Sequence, residues 1–404
     1  MIGKTTRFLL ENSLFLIIGA AIGLAWANLD HEGYEALLHF PIWQNDWIGT
    51  PHDGHRLVTL HFLVNDILMA LFFAIAGKEV WEALLPGGPL SNPRKAATPL
   101  IATIGGVVVP ALVYVGGAAA IGQMSDLARG WAIPCATDIA FSYMVARLIF
   151  GAGHAAIPFL LLLAIADDAI GLLIIAVAYP QEEVRPVFML LAVAGVGICY
   201  LMRRLRWHSF WPYLLIGGGL SWLGFALTGL HPALGLLPII PAMPHAHVDT
   251  GLFDWSRLEA HDTLSHFEHW WKNPVELILG AFGLLNAGVV FSAVGPATWL
   301  VLAGLMIGKP LGVWGFGVLA SRVFGFGLPR GLRSRDLIII GFAAAIGFTV
   351  ALFVAAVAFP AGAAQDAAKM GALASFIAAG ATWLTARIIG VEKVTGVEES
   401  LTES

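Results

Sequence analysis

Two adjacent aspartates, Asp167 and Asp168, lie within an apolar run from Ala155 to Ala178. That run can cross a lipid bilayer, because a spanning helix needs about 20 predominantly apolar residues. An ionisable side chain at membrane depth costs at least about 2.5–3.5 kcal/mol on insertion scales, and such residues usually mark a pathway for ions or protons. The pair therefore predicts a proton or cation site. The competing interpretation is a structural pair held by hydrogen bonds.

The rest of the chain has the composition of an integral membrane protein. Of its 404 residues, 58% are hydrophobic and only 12% are charged, whereas soluble domains carry about 25% charged residues. Cys135 and Cys199 lie in apolar runs, which argues against a disulfide framework or a cysteine metal site. The sequence has no basic stripe of the kind that binds nucleic acid. We therefore expect one polytopic membrane domain over residues 1–404.

Apolar segments recur along the chain and predict an all-α protein with about twelve transmembrane helices. The eighth segment is short, and the fourth and eleventh contain interruptions. The predicted spans are 11–28, 57–85, 97–119, 130–149, 155–178, 185–203, 210–227, 231–243, 273–292, 297–320, 335–358 and 368–389.

The distribution of lysine and arginine sets the expected orientation, since basic residues concentrate in cytoplasmic loops. Basic residues precede the first span and follow the second, sixth and tenth spans, so both termini are expected in the cytoplasm. Residues 30–56 then form an external loop, for which a small hairpin is one interpretation. Residues 244–272 form a cytoplasmic loop that has more acids than bases, but acids carry little weight in this rule.

Two groups of three predicted spans show a weak internal symmetry. The third and tenth spans are both rich in glycine, and each is followed by an interrupted span. Inverted three-helix repeats with interrupted helices would produce this pattern. The first repeat is expected at about 97–178 and the second at about 297–389.

The interruption of the fourth span is centred on Pro134, which lacks an amide hydrogen and disrupts the helical ladder before it. Thr137 and Asp138 follow and offer hard oxygen ligands, which suit Na⁺, Li⁺ or a proton better than a soft metal. The alternative is a kinked helix with a satisfied aspartate. In the eleventh span, Gly347 and Thr349 are equally consistent with an unwound segment and with a small-residue packing face.

Lys309 lies in the tenth span with apolar sequence on both sides. A lysine at that depth must reach the interface, lose its proton or pair with an acid. Asp138, Asp167 and Asp168 are the candidate partners. Adjacent helical residues point about 100° apart, so one member of the Asp167–Asp168 pair is expected to face the cation and the other to face Lys309. Spacing alone does not decide which.

Taken together, four motifs resemble those of the NhaA family of bacterial sodium/proton antiporters, and the resemblance covers nearly the whole chain. These motifs are Trp131–Phe141, Ala164–Gly171, Gly308–Gly312 and Gly347–Thr349.

The resemblance implies electrogenic exchange of Na⁺ or Li⁺ for protons by a homodimer in the bacterial inner membrane, without a cofactor. By similarity, Asp167 and Asp168 bind the cation and the protons, and Lys309 pairs with an acid of the site. Asp138 and Thr137 are placed where the two interrupted helices cross. The residues in or near regions linked to pH response are Glu79, Glu82, His231 and Glu268.

The sequence departs from the family pattern at the end of the second span. Lys78 stands where an apolar residue is usual, and Trp81 stands where a base is expected. From the residues alone, Glu79 and Glu82 could form a cation-attracting mouth or simply a solvated helix end, because residues three apart share a helix face. These departures bear on the pH profile rather than on the transport chemistry.

Two other classes of protein place carboxylates or sodium sites in a membrane and are alternatives to an antiporter. A sodium-coupled solute symporter is the main alternative, but it would need a pocket for an organic substrate, and no further polar cluster suggests one. An intramembrane aspartyl protease needs two carboxylates that face each other, whereas Asp167 and Asp168 are sequence neighbours.

Overall fold

The computed structural model describes residues 14–245, 262–391 and 393. Within these residues, seven helices are long and apolar enough to cross a membrane, and up to nine spans result if each of two bent helix pairs is one span. Helices dominate because a backbone in lipid must satisfy its own hydrogen bonds. The prediction of a mainly helical, multi-pass membrane protein is confirmed, whereas the number of twelve spans stays a prediction.

The first part of the chain contains all of the described β-structure. In chain order its elements are α1 (Leu14–Leu29), α2 (His31–Leu38), β1 (Pro41–Asn45), β2 (Thr50–His52), β3 (His55–Thr59), α3 (Leu60–Leu84), α4 (Pro93–Ala120), α5 (Met124–Cys135), α6 (Ile139–Phe150) and α7 (Ala156–Ala178).

All regular elements in the second part of the described chain are helices. Its elements are α8 (Pro186–Arg204), α9 (Phe210–Thr228), short 3₁₀ segments at Pro232–Leu234 and Leu237–Ala242, α10 (Thr263–Asn286), α11 (Pro296–Val323), α12 (Asp336–Ala344), α13 (Phe348–Ala358), α14 (Ala363–Ala374) and α15 (Ile377–Ile389).

The described residues group into two compact units, and the first comprises those that fall within 1–88 and 172–290. In this unit α1 packs along α10. The segment 30–56 is more elaborate than a hairpin: it contains α2 and two strands of a three-stranded antiparallel sheet with strand order β1-β3-β2. The turn between β2 and β3 places Asp53 and Gly54 at positive φ, 46° and 82°, as tight hairpin turns require.

The second unit comprises residues 89–171 and 291–404. Here α4 packs along α11, and α11 packs on α12. The approach of α4 to α11 is close: a Cβ added at Gly312 would lie 2.6 Å from the carbonyl carbon of Gly105. Only glycine permits that approach, as is common between transmembrane helices. A buried core around Phe150, Phe159 and Ile340 fills the space beside these helices.

Two predicted boundaries differ from the structure. The ninth span was expected to begin at 273, but α10 begins at Thr263, so the second part of the predicted loop 244–272 is helical. Asp262 caps α10 by accepting a hydrogen bond from the amide of Ser265 at 2.6 Å. The predicted eighth span, 231–243, consists of two short 3₁₀ segments instead of a regular α-helix. Residues 246–261 lie outside the described residues.

Candidate functional site

Both helix interruptions that the sequence indicated are present in the second unit. Helices α5 and α6 bend by 52° across a break at residues 136–138, and α12 and α13 bend by 52° across a break at residues 345–347. The first break follows Pro134 directly, as expected from its missing amide hydrogen. Each break exposes backbone groups that a continuous helix would satisfy.

Side chains of the first break and of α6 donate hydrogen bonds to carbonyl groups at the end of α12. The hydroxyl of Ser142 donates to the carbonyl of Ala343 at 2.8 Å. The hydroxyl of Thr137 donates to the carbonyl of Ala344 at 3.0 Å. The two breaks are therefore bound to one another through donors on the α5–α6 side and acceptors on the α12 side.

Asp138 caps two helices at once. Its Oδ1 accepts a hydrogen bond from the amide of Phe141 at 3.4 Å, in the first turn of α6. Its Oδ2 accepts from the amide of Thr349 at 3.2 Å, at the start of α13, and also from the hydroxyl of Thr349. A carboxylate suits this place because helix N-termini carry partial positive charge.

Lys309 and Asp167 form a buried ion pair in the same unit. The Lys309 ammonium lies 2.8 Å from Oδ2 of Asp167, and Lys309 is 0% exposed. The same ammonium also donates to the carbonyl of Cys135, at the end of α5. Thus Lys309 has one charged and one neutral acceptor.

Thr137, in the first break, is a second neighbour of the Asp167 carboxylate. Asp168 is half-buried on the next position of α7. The sequence left open which aspartate Lys309 would pair with, and in the structure it pairs with Asp167.

Close packing holds the Lys309 backbone in place. An added Cβ at Gly308 would lie 2.5 Å from the Cα of Pro110, and one at Gly304 would lie 2.6 Å from the Cβ of Pro134. A π-helical turn, Gly304–Gly308, directly precedes Lys309, and such turns often occur at functional sites. Gly304 and Gly308 have no side chains that could bind an ion, but their close packing fixes the backbone position of Lys309.

The candidate pH-response residues lie in the first unit, where Lys78 is the central member of an ion-pair cluster. Its buried ammonium lies 2.6 Å from Glu82, four residues on, and 2.5 Å from Glu268 on α10. Glu79 is exposed beside this cluster. The pairing of Lys78 with Glu268 was missed from the sequence, although a lysine in the apolar second span was itself the signal that an acid lay opposite.

His231 lies in a different part of the first unit. It is buried, and its Nδ1 lies 3.8 Å from Oδ1 of Asp66. The same nitrogen accepts a hydrogen bond from the amide of Ala233 at 3.3 Å. Nearby, the side-chain amides of Asn65 on α3 and Asn286 on α10 hydrogen-bond to each other at 3.0 and 2.8 Å.

One further ion pair in this unit joins Arg56 to Glu182. The Arg56 guanidinium donates to Glu182 at 2.8 Å, and this hydrogen bond raises the pKa of Arg56 further above its ordinary range. The arginine on β3 therefore remains charged at every physiological pH.

The described residues contain no group of three or more His, Cys, Asp or Glu side chains arranged to hold a metal ion. Hydroxyl and backbone carbonyl oxygens, such as those of Thr137 and Ala344 at the two breaks, are acceptable ligands for hard cations.

Comparison with known proteins identifies the family. The family model described as Na⁺/H⁺ antiporter 1 matches residues 6–386. The Na⁺/H⁺ antiporter NhaA of Jannaschia sp. (strain CCS1) is 54% identical over 96% of this chain and 99% of its own length. The NhaA proteins of Desulfitobacterium hafniense (strain DSM 10664 / DCB-2) and Geobacter sulfurreducens are each 49% identical, over 97% and 92% of this chain and 97% and 94% of their own lengths. The chain belongs to the NhaA family of Na⁺/H⁺ antiporters.

Proposed function

We propose that this protein is a secondary active antiporter that exports Na⁺ or Li⁺ in exchange for protons. The observation that carries the proposal is the buried Lys309–Asp167 ion pair, which lies against the first of two interrupted helices. Buried charges in a membrane protein are costly, and they usually mark the pathway of a transported ion or proton. Family membership supports the same assignment.

Competition for the carboxylates is the proposed basis of exchange. In the described state Asp167 is occupied by the Lys309 ammonium. An arriving cation displaces that ammonium, which keeps the carbonyl of Cys135 as an acceptor. Asp168 supplies the second carboxylate. Protons and Na⁺ therefore compete for the same oxygens, and each is released when the other binds.

Asp138 has a supporting electrostatic role in this proposal. Its carboxylate offsets the partial positive charge of the N-termini of α6 and α13. Both helix ends face the broken segments, so without that charge they would repel a cation. Thr137 and Thr349 hold the broken segments in register, and Gly347 leaves room beside the carbonyl of Ala136.

Coupling follows from the cost of an empty site. Unbalanced charge in a membrane interior is expensive, so the site changes its exposure only when loaded with protons or a cation. The inverted repeats, 97–178 and 297–389, would provide the alternating access. Exchange of two protons for one cation moves net charge, so the membrane potential contributes to the driving force.

Regulation by pH is assigned to residues in the first unit. Lys78, Glu82 and Glu268 form one charged cluster, and His231 lies near Asp66. We place this regulation apart from the transport step, since none of these residues belongs to the second unit. The remaining proposals are a homodimer in the bacterial inner membrane, both termini in the cytoplasm and no cofactor.

Purified protein in proteoliposomes with a preset pH gradient tests the function. Adding Na⁺ or Li⁺ without any organic solute should dissipate the gradient, and a potassium–valinomycin potential should change the rate if exchange is electrogenic. A requirement for an organic solute would instead indicate a symporter. An identical preparation of Asp167→Asn is the control for passive leak.

A further inference from the structure

A reciprocal amide pair joins α3 to α10 in the first unit. The side-chain nitrogen of Asn65 donates to the oxygen of Asn286 at 3.0 Å, and the nitrogen of Asn286 donates to the oxygen of Asn65 at 2.8 Å. Both side chains are buried. Since a buried polar group without a partner is costly, the two amides form a specific polar contact between two otherwise apolar helix faces.

One backbone carbonyl fixes the orientation of both amides. The nitrogen of Asn286 also donates to the carbonyl of Phe282 at 3.0 Å. Turning the Asn286 amide over would place its oxygen against that carbonyl, and two acceptors cannot hydrogen-bond. With Asn286 fixed, Asn65 must direct its nitrogen to the Asn286 oxygen. Neither amide can therefore turn over without the loss of hydrogen bonds.

His61 contacts this pair through the second hydrogen of the Asn65 nitrogen. Its Nε2 lies 3.0 Å from that nitrogen, one helical turn earlier on α3. Because the Asn65 nitrogen is a donor, Nε2 has to be the acceptor, and the ring hydrogen has to lie on Nδ1. A protonated imidazole has donors at both nitrogens, so it would set donor against donor. The network therefore accommodates only the neutral ring of His61.

We propose that His61 is a proton-binding residue whose protonation weakens the Asn65–Asn286 contact between α3 and α10. If the protonated ring stays in place, the Asn65 amide has to turn over and both of its hydrogen bonds to Asn286 break. If the ring turns away, one hydrogen of the Asn65 nitrogen loses its acceptor. In both cases acid loosens the junction of the two helices.

The position of His61 lets protons from solution reach it. The residue is half-buried in the first turn of α3, directly after strand β3. The external location of this end of α3 rests on the proposed function. Lys78 and Glu268 join the same two helices, about 20 Å further along α3. His61 thus gives the helix pair a second proton-sensitive contact, remote from the first.

Other titratable groups near His61 change how readily it binds a proton, but they do not change the hydrogen-bond geometry. His231 lies within range of its charge, and Asp66 lies 3.8 Å from His231. The facing end of α10, Phe282–Asn286, has no charged residue. Helix α2, which also packs against the start of α3, contributes the titratable residues His31, Glu32 and Glu35.

Thermal unfolding in detergent at about pH 8 and about pH 5.5 tests the proposal, with His61→Gln as the main variant. Glutamine offers Asn65 an acceptor oxygen at every pH. An unfolded chain protonates histidine below about pH 6.5, whereas the folded network accommodates only the neutral ring, so unfolding takes up a proton and stability falls as the pH falls. The wild-type unfolding temperature should therefore fall by about 2–4 °C more than that of His61→Gln. Equal falls in the two proteins would overturn the proposal.

These unfolding temperatures do not depend on transport. If wild-type proteoliposomes show no Na⁺-dependent proton movement, the proposed function fails, and the comparison of wild type with His61→Gln still decides the role of His61.

The background variant Asn286→Ala separates this network from the simple burial of a histidine. Without Asn286, the Asn65 amide can turn over and offer its oxygen to the protonated ring. Asn286→Ala and His61→Gln/Asn286→Ala should therefore lose the same number of degrees in acid. If Asn286→Ala does not fold, Asn65→Ala takes its place, because it removes the donor that excludes the protonated ring. An acid loss attributable to His61 that stays as large in this background as in wild type would contradict the proposal.

Discussion

The ammonium of Lys309 lies 2.8 Å from the carboxylate of Asp167, in surroundings that leave Lys309 0% and Asp167 3% exposed. Removing one member of a buried pair leaves an uncompensated charge, which costs about 3–5 kcal/mol in soluble proteins. The two side chains should therefore contribute to stability as a unit rather than separately.

Replacing Lys309 by alanine should lower the thermal unfolding temperature in detergent and abolish exchange, because Asp167 loses its partner. The double variant Lys309→Ala/Asp167→Asn removes both charges, so its loss of stability should be smaller than the sum of the single losses. Strictly additive losses in this cycle would mean that the two groups do not interact.

Replacing Asp138 by asparagine should weaken the apparent Na⁺ affinity more than it lowers the maximal rate. Asparagine has a single acceptor oxygen, so it keeps only one of the two amide hydrogen bonds, from Phe141 or from Thr349, and it removes the charge that offsets two helix ends. The expected loss is about 1–2 kcal/mol of cation affinity. Asp262→Asn makes the same change at the cap of α10 and serves as control. An unchanged Na⁺ dependence in Asp138→Asn would remove this residue from the cation environment.

Replacing Lys78 by methionine should lower the unfolding temperature and displace the pH–activity curve. Two carboxylates, Glu82 and Glu268, lose the ammonium that lies between them, while the second unit is untouched. The KM for Na⁺ at the optimal pH should therefore stay close to that of wild type. Exchange rates over a pH series at saturating Na⁺ provide the measurement. A curve superimposable on the wild-type curve would exclude this cluster from regulation.

Replacing Gly312 by alanine should destabilise the second unit by about 1–3 kcal/mol, as overpacking does. The added methyl group would meet the backbone of Gly105 on α4, so the helices must separate. Gly315 on the same helix has no atom within 4 Å of an added Cβ, and Gly315→Ala should be neutral or slightly stabilising. Equal unfolding temperatures for the two variants would show that α4 and α11 tolerate the separation.

The helix interruptions could be predicted because their cause is local. Pro134 lacks an amide hydrogen wherever the chain places it, so the break after it follows from sequence alone. The break at residues 345–347 does not follow from Gly347 alone, because glycine is also common in packing faces. The start of α10 was missed because its first turns are polar and aromatic, although Asp262 is a recognisable cap.

The partners of the buried lysines could not be predicted because they depend on tertiary packing. Lys309 is 142 positions from Asp167, and Lys78 is 190 positions from Glu268. A lysine in an apolar helix indicates that some acid lies nearby, but the choice between Asp167 and Asp168 depends on the rotation of α7. Likewise, the hydrogen bond from Thr137 to Ala344 involves a backbone carbonyl, which no residue type reveals.

Na⁺-driven proton movement by Asp167→Asn in proteoliposomes tests the central claim most directly. The matched control is Asp336→Asn, another buried acid of the second unit, which accepts a hydrogen bond from the amide of Arg333. Adding Na⁺ across a preset pH gradient should dissipate the gradient in wild type and in the control, and should have no effect in Asp167→Asn. Wild-type exchange by Asp167→Asn would contradict the assignment of Asp167 as a carboxylate for which protons and Na⁺ compete.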